Sequence, residues 1–255
     1  MKICLYNAKG GTAKTTSCVN LAHALAMRGL RVLVVDCDPQ ASAAFHFGIA
    51  REHLSPSLAD VLLEDLPIEK AVRSTAVPNL SVITGALALS AFDIRFAGER
   101  GREFKLRDSL KALKGFDAIL LDVAPTMGLL ALNVLAASDH IIVPVPPNYL
   151  SLQGLRTLEE SLELISRGMG MKPDILGILA TQVDRRAKAT DEALALLRKH
   201  YGSEMFKATI PTNSKLAEAP SFGKTIFGHD RSSRGAKAYS DLAKEVLNRL
   251  KKRSK

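Results

Sequence analysis

Two lysines and two glycines near the start of the chain have the types and spacing of a phosphate-binding loop. The segment reads Lys9-Gly10-Gly11-Thr12-Ala13-Lys14-Thr15-Thr16. Because Gly10 and Gly11 carry no side chains, backbone N–H groups there can converge on phosphate oxygens, and a following helix adds the positive end of its dipole. We expect Lys14 to reach the β- and γ-phosphates of a nucleotide and the Thr15 hydroxyl to hold Mg²⁺.

Three aspartates stand where such a loop needs oxygen ligands for a metal. Asp36 and Asp38 follow the apolar run 31–36, and Asp122 ends the run 117–122. Ligands bind beyond the carboxyl ends of the strands in an open parallel sheet, and Mg²⁺ prefers oxygen ligands. A single strand-terminal aspartate is more often a helix cap or a turn former. Three of them beside a phosphate-binding loop favour a magnesium site.

The elements that must position these residues can be predicted from the hydrophobic pattern. Apolar runs typical of strands buried on both faces occur at 2–6, 31–36, 80–84, 117–122, 140–145 and 175–181. Helical patterns lie at 15–28, 103–114, 129–137, 151–167 and 189–200, with a last helix at about 233–252. This alternation predicts an α/β fold in which helices cover both faces of a mostly parallel, twisted sheet. We expect one domain over residues 1–255 and a basic tail at about 251–255, while the pattern leaves the structure of 85–102 open.

Charge is distributed unevenly along the chain. The net charge is +9, and residues 1–180 contain 18 Lys and Arg against 18 Asp and Glu. Residues 181–255 contain 17 against 8, so the whole excess lies in the last 75 residues. A basic surface of this kind attracts a polyanion, either nucleic acid or an anionic membrane, although it can also serve only to keep a protein soluble.

Cysteine usage and hydropathy argue against several function classes. Cys4, Cys18 and Cys37 form no Cys-x-x-Cys pair, so we expect small buried side chains rather than metal ligands or a disulfide. No apolar run approaches the roughly 20 residues of a membrane-spanning helix. The glycine-rich loop begins within a few residues of Met1, which leaves no room for a signal peptide, and we therefore expect a cytoplasmic protein.

Lys9 distinguishes this loop from an ordinary one, which needs only the lysine after the turn. A second lysine directly before Gly-Gly marks the deviant Walker A motif, and in this feature the sequence resembles the ParA/MinD class of ATPases. Two later strings are similar to those of the chromosomal ParA/Soj branch: Glu218-Ala219-Pro220-Ser221-Phe222-Gly223-Lys224 and Ser233-Arg234-Gly235-Ala236. The resemblance covers essentially the whole chain and implies a single-domain P-loop NTPase that uses ATP and Mg²⁺.

The resemblance also implies roles for individual residues. Lys9 would cross a dimer interface and touch the nucleotide of the partner subunit, which gives an ATP-dependent sandwich dimer with slow hydrolysis in the monomer. Asp38 would orient or activate the attacking water, Asp122 would hold Mg²⁺ through water, and Asp36 would support the loop. The expected site therefore comprises three sets: Lys9, Lys14 and Asp38 for catalysis; Thr15, Asp38 and Asp122 for Mg²⁺; and Lys9–Thr16 with Pro211 and Thr212 for the nucleotide, the last two against adenine.

Four positions depart from the family pattern. Ala13 stands where the family has a glycine, and Val123-Ala124-Pro125 replaces the usual Cys-Pro-Pro. Asn148 replaces an acidic residue found in many relatives, and Thr212 replaces a common Arg or Asn. A methyl group at Ala13 can crowd the loop or be tolerated, so the sequence leaves the detailed shape of the loop open.

In the ParA branch, the ATP-bound dimer binds double-stranded DNA without sequence preference, which agrees with the basic last third of the chain. Arg186 and Lys215 match DNA-contact positions of the family, and Arg185, Lys224 and Arg234 are further candidates. We expect a nucleoid-associated protein that drives chromosome or plasmid segregation. A ParB-like centromere-binding partner or a cargo adaptor would stimulate hydrolysis.

Other functions in the same superfamily remain open. One alternative is the positioning of a protein cargo or a microcompartment on the nucleoid. Another is a MinD-like membrane ATPase, but the segment 247–253 offers few apolar anchors, so we expect no stable membrane binding. An iron–sulfur or metal-delivery ATPase would need the paired cysteines that this chain lacks.

Overall fold

The computed structural model describes residues 1–169 and 174–253. Its strands are β1 (Lys2–Leu5), β2 (Val32–Cys37), β3 (Arg73–Ser74), β4 (Leu80–Ile83), β5 (Ala118–Val123), β6 (His140–Val145) and β7 (Ile175–Ala180). Its α-helices are α1 (Lys14–Ala26), α2 (Ser42–Phe45), α3 (Leu58–Leu63), α4 (Phe92–Arg95), α5 (Lys105–Leu110), α6 (Leu129–Ala137), α7 (Tyr149–Met169), α8 (Lys188–Tyr201), α9 (Ser214–Glu218), α10 (Ile226–His229) and α11 (Arg234–Arg253).

The strands of the described residues form one sheet in the order β3-β4-β2-β5-β1-β6-β7. All neighbours pair in parallel except β3, which runs antiparallel to β4. The predicted α/β fold with a mostly parallel sheet is confirmed. Because β2, β5 and β1 lie side by side, their carboxyl ends meet at one edge of the sheet, and the glycine-rich loop follows β1 at that same edge.

Two apolar clusters, one on each face of the sheet, hold the layers together. Successive residues of β1 contribute to opposite clusters, Ile3 and Leu5 to one and Cys4 and Tyr6 to the other, as the two-residue period of a strand requires. Helices α1 and α11 cover the first face, and α3, α6, α7 and α8 cover the second. The three cysteines are buried and free, as the sequence predicts.

Helix α11 packs directly against α1, the helix that follows the loop. Its Tyr239, Leu242, Ala243 and Val246 are all buried, with the three- and four-residue spacing of one helix face. No helix in the described part of the chain combines the length and the apolar character needed to cross a bilayer.

The structure differs from the sequence-based expectations at several places, and the short helices α2, α3, α9 and α10 lie in segments for which no helix was predicted. Strand β3 was not predicted, because a two-residue strand carries no detectable period. Residues 251–253, expected to belong to a basic tail, form the last turn of α11, and residues 254 and 255 lie outside the described residues. The predicted helix 103–114 is shorter, since α5 ends at Leu110, and the open region 85–102 contains two short 3-10 turns and α4.

Candidate nucleotide site and basic cleft

The glycine-rich loop leaves β1 and is tied at its entrance to the neighbouring strand. Asn7 donates from Nδ2 to the carbonyl of Pro144 at the end of β6 (2.8 Å), and its Oδ1 accepts the backbone N–H of Lys9 (2.9 Å). The Asn7 side chain therefore fixes the direction in which the chain enters the loop.

The exit of the loop is held by the two residues that follow β7. Thr181 donates from Oγ1 to the carbonyl of Thr12 (3.0 Å), and Gln182 donates from Nε2 to the carbonyl of Gly11 (2.8 Å). Sequence analysis missed both residues, although Thr181 ends the predicted strand 175–181 and Gln182 follows it, which put both at the same sheet edge as the loop. Gln182 also has a positive φ of 54°, which no sequence pattern announced.

Backbone conformation shapes the loop around left-handed residues. Gly11 has φ 71° and Ala13 has φ 64° and ψ 34°, directly before α1 begins at Lys14. A backbone that alternates right- and left-handed residues turns its N–H groups towards a common centre, which suits an anion. A non-glycine residue in this conformation costs about 1 kcal/mol relative to glycine, so the loop is formed despite Ala13.

The two lysines of the loop occupy different environments. Lys14 is 7% exposed, and its Nζ donates to the carbonyl of Lys9 (3.1 Å). Burial lowers the pKa of Lys14, while the nearby Asp122 and Asp38 oppose that shift. The side chain of Lys9, by contrast, is exposed. One lysine is thus held inside the site, and the other is free to meet a molecule outside it.

Asp36 and Asp122 are paired residues on the adjacent strands β2 and β5, and both are fully buried. Neither carboxylate oxygen of Asp122 has a hydrogen-bond partner among the described residues. Burial raises the pKa of Asp122, and the nearby Thr15 hydroxyl opposes that shift in part. A buried, unpartnered carboxylate near a lysine and a hydroxyl fits a site for a magnesium ion.

Asp36 is bound into its own loop. Its two oxygens accept the backbone N–H groups of Asp38 and Ala43, each at 3.0 Å, and burial and Asp122 raise its pKa. Asp38 lies further out, half-buried, where it accepts the N–H of Gln40 (2.8 Å). Asp36 therefore has the geometry of a support, and Asp38 that of a rim residue.

Among the described residues, the acidic and other metal-binding side chains do not form a metal cage by themselves. In the described part of the chain, no group of three or more His, Cys, Asp or Glu side chains is arranged to hold a metal ion. Mg²⁺ in nucleotide sites is usually held by one or two carboxylates together with substrate phosphates and water.

Pro211 and Thr212 lie beside the loop, where sequence analysis expected the nucleobase. They line a cavity of about 260 Å³ together with Ala13, Thr16 and Gln182. The Thr212 N–H donates to the carbonyl of Val183 (3.2 Å), which holds this segment against the end of β7. The methyl group of Ala13 therefore faces the same cavity as the residues expected to contact adenine.

Three of the five candidate DNA contacts come together. Arg185, Arg186 and Arg234 line a cleft of about 660 Å³, whose wall also includes Pro211 and Thr212. Two further cations, Lys207 and Lys237, line the same cleft, which we call the basic cleft. Sequence analysis counted their charges but did not select them, because they lie on separate segments that only the tertiary fold brings together.

Lys215 and Lys224 do not line the basic cleft. Lys215 forms an ion pair with Glu218 (2.9 Å), and Arg186 forms one with Asp184, also at 2.9 Å, although the Arg186 side chain is 89% exposed. Ion pairs this exposed are weak, so both side chains can exchange their carboxylate for a phosphate at little cost.

Two other departures from the family pattern are placed by the structure. Ala124 is buried behind the end of β5, and Asn148, which follows β6, is exposed.

A parallel sheet with a glycine-rich loop, a buried lysine and a buried strand-end aspartate at one edge defines a P-loop nucleotide-binding protein. A family model described as an AAA domain matches residues 1–175. The chain is 40% identical over 255 residues to the chromosome-partitioning ATPase Soj of Thermus thermophilus, covering 98% of this chain and 96% of that protein. It is 36% identical over 248 residues to the chromosome partitioning protein ParA of Myxococcus xanthus, covering 97% and 88%. The chain belongs to this ParA/Soj family of partitioning ATPases, as its motifs predicted.

A solved structure with a bound ATP analog and magnesium has a fold similar to that of this chain. The cobyrinic acid a,c-diamide synthase of Mycobacterium smegmatis, with bound ATP analog and magnesium, has a TM-score of 0.84 and 28% identity. The match covers 98% of this chain and 95% of that one.

Proposed function

We propose that this protein, as a single domain, binds and hydrolyses ATP with Mg²⁺, forms an ATP-dependent dimer and uses it to bind DNA non-specifically during chromosome or plasmid segregation. The observation that supports it best is the contrast between the two loop lysines. Lys14 is buried near Asp122 and Asp38, whereas Lys9 is exposed. A single subunit uses only the first of them, and the second is available for the nucleotide of another subunit.

The residues of one subunit divide the work of phosphoryl transfer among them. Lys14 binds the β- and γ-phosphates, and Thr15 and Asp122 are the residues that would hold Mg²⁺. A bound Mg²⁺ supplies neutralisation of phosphate charge. Asp38, at the rim, orients the attacking water, and Lys9 of a second subunit stabilises the charge that develops on the phosphoryl oxygens. Hydrolysis is therefore slow in a monomer.

DNA binding is assigned to the basic cleft with Lys215 and Lys224 as flanking contacts. Five cations line the cleft against Asp184 and Asp241. The cleft and the nucleobase cavity share Pro211 and Thr212, so a bound nucleotide and a bound phosphate backbone lie on two sides of the same short segment. We propose that the protein is cytoplasmic and associates with the nucleoid. A ParB-like partner or a cargo adaptor then stimulates hydrolysis and so releases the protein from the nucleoid.

Membrane attachment of the MinD type is less well supported than DNA binding. It would need an apolar helix face free to enter lipid, but the apolar face of α11 is buried against α1. Sedimentation with DNA and with anionic liposomes, each with ATP, separates the two. Positioning of a protein cargo stays an alternative, and it is distinguished by whether a centromere-binding protein or a cargo adaptor stimulates hydrolysis.

Separate substitution of the two lysines tests the proposal. Lys14→Ala is expected to abolish ATP binding, because the buried charge that meets the phosphates is lost. Lys9→Ala is expected to retain ATP binding but to lose the ATP-dependent dimer and hydrolysis. Nucleotide affinity, light-scattering mass and phosphate release measure the three properties. A Lys9→Ala protein that dimerises and hydrolyses ATP like the unchanged protein contradicts the proposal.

A further inference from the structure

Residues 124–128, which we call the rim segment, join β5 to α6 and form one side of the candidate nucleotide site. Pro125 lies over the loop, since a methyl group placed on Gly10 would be 3.9 Å from Pro125 Cγ. The hydroxyl of Tyr6, directly before the loop, lies within hydrogen-bond distance of two acceptors in the rim segment, Met127 Sδ and the carbonyl of Thr126 (3.3 Å). A displacement of the rim segment therefore changes the space beside the phosphate-binding loop.

Asp93 holds the far end of the rim segment. Its carboxylate accepts the backbone N–H groups of Leu129 (2.9 Å) and Leu130 (3.2 Å), the first two residues of α6. The first amides of a helix have no partner within it, and Gly128 at the N-cap has no side chain to accept them. Asp93 itself is exposed, and its neighbour Phe92, which is fully buried, fixes the backbone from which the carboxylate reaches α6.

Gly128 leaves room for the Asp93 carboxylate in its capping position, whereas the backbone of Gly128 does not itself call for glycine. Its φ of −74° and ψ of −177° are open to any residue. A Cβ atom at this position, however, would lie only 2.3 Å from Asp93 Oδ2. The two residues therefore form one unit, in which the missing side chain of Gly128 makes room for the carboxylate that caps α6.

We propose that Asp93 is a positioning residue for ATP hydrolysis, which holds the rim segment against the phosphate-binding loop through the start of α6. The proposal rests on the ATPase function proposed above. The rim segment begins two residues after Asp122, is contacted by Tyr6 in its middle, and leads directly into the first turn of α6, which Asp93 holds. Asp93 touches neither the loop nor the carboxylates of the site, so its effect must pass through the rim segment.

A double-mutant cycle on Asp93 and Gly128 tests this. Asp93→Ala is expected to lower kcat on the order of tenfold while KM for ATP changes little, since the loop and Lys14 are intact and only the rim is misplaced. Gly128→Ala is expected to match it, because the new methyl group displaces the carboxylate. In the double variant we expect the second substitution to add little to the loss of kcat. The carboxylate with which a methyl group on residue 128 would clash is already absent. Asp93→Asn, which keeps one accepting oxygen, is expected to lie between.

Amide hydrogen exchange of residues 128–131, measured on the same samples, reports the capping contact without reference to catalysis. The matched control is Asp117→Asn at the opposite edge of the sheet, where the carboxylate also accepts a backbone N–H, that of Arg31 (2.8 Å). This control is expected to change neither kcat nor the exchange of residues 128–131.

Two results overturn the proposal: an unchanged kcat in folded Asp93→Ala protein, or additive effects of the two substitutions on kcat and exchange. If the protein without substitutions binds ATP but does not hydrolyse it, the proposed function is refuted instead. In that case, the hydrogen exchange of residues 128–131 still tests the Asp93–Gly128 unit. Non-additive effects of the two substitutions on this exchange support the unit, and additive effects reject it.

Discussion

The edge of the sheet that holds Lys14, Asp36 and Asp122, which we call the phosphate edge, buries its charged side chains, whereas the basic cleft exposes them. At the phosphate edge, Lys14, Asp36 and Asp122 are almost or completely buried, and they come from three elements that are separate in sequence, α1, β2 and β5. In the basic cleft, the Arg186 side chain is 89% exposed and forms an ion pair with Asp184. Buried charges are costly unless they are partnered, so each one at the phosphate edge has a role that a hydrophobic residue cannot fill. Exposed charges cost little and can exchange partners, which suits the binding and release of DNA proposed above.

The largest test of this comparison is Asp122→Asn. We expect hydrolysis to fall by at least about 100-fold, because the neutral side chain no longer holds Mg²⁺. Without metal and nucleotide, we expect the free energy of unfolding to rise by roughly 1 kcal/mol, because removal of a buried carboxylate that also repels buried Asp36 outweighs the lost attraction to Lys14. Phosphate release and denaturant unfolding in EDTA measure the two effects.

The control for Asp122→Asn comes from the other region. Arg186→Gln, at an exposed ion pair, should change the free energy of unfolding by less than about 0.5 kcal/mol. A loss of stability in Asp122→Asn protein under these conditions would show that the carboxylate contributes to the fold, and the contrast between the two regions would fail.

The same contrast explains which parts of the molecule could be predicted from its sequence. Strands β2 and β5 are buried along their whole length, so they must be continuous apolar runs, and their ends fixed the places of Asp36 and Asp122. The basic cleft is built from the segments 183–186, 207–212 and 234–241, which carry no shared pattern. Lys207 and Lys237 could therefore be counted but not placed. Asp93 was hidden for a related reason, because region 85–102 has no period that predicts a helix.

The second prediction tests whether the basic cleft binds DNA. We expect Arg186→Glu/Lys215→Glu to abolish ATP-dependent DNA retention, and Lys207→Glu/Lys237→Glu to reduce DNA affinity by at least about tenfold at roughly 0.1 M salt, because phosphate contacts are lost. ATP binding should be unchanged, since none of these side chains contacts the loop. Fluorescence anisotropy across a salt series gives the affinity, and its logarithmic slope should fall by about 0.9 for each phosphate contact removed.

Arg107→Glu/Lys111→Glu on α5 provides the matched change in net charge. Both side chains pair with Asp108 on a surface away from the basic cleft. Equal losses of affinity in this control would mean that overall charge, and not the basic cleft, holds the DNA.

The smallest effect is expected at Ala13, where the phosphate edge departs from its family. Glycine adopts φ near 64° without the contact that strains an alanine, but it also gives the unfolded chain more freedom, and these two effects oppose each other. We expect Ala13→Gly to raise the free energy of unfolding by about 1 kcal/mol or less, because relief of the strain in a left-handed alanine outweighs the added freedom of the unfolded chain.

Ala50→Gly is the matched control for Ala13→Gly. Ala50 is exposed with φ −73°, so its replacement relieves no strain and only adds freedom to the unfolded chain, and stability should fall. Urea unfolding of both variants measures the difference. If the two lose stability alike, Ala13 is unstrained, and the methyl group facing the nucleobase cavity is an ordinary part of this loop.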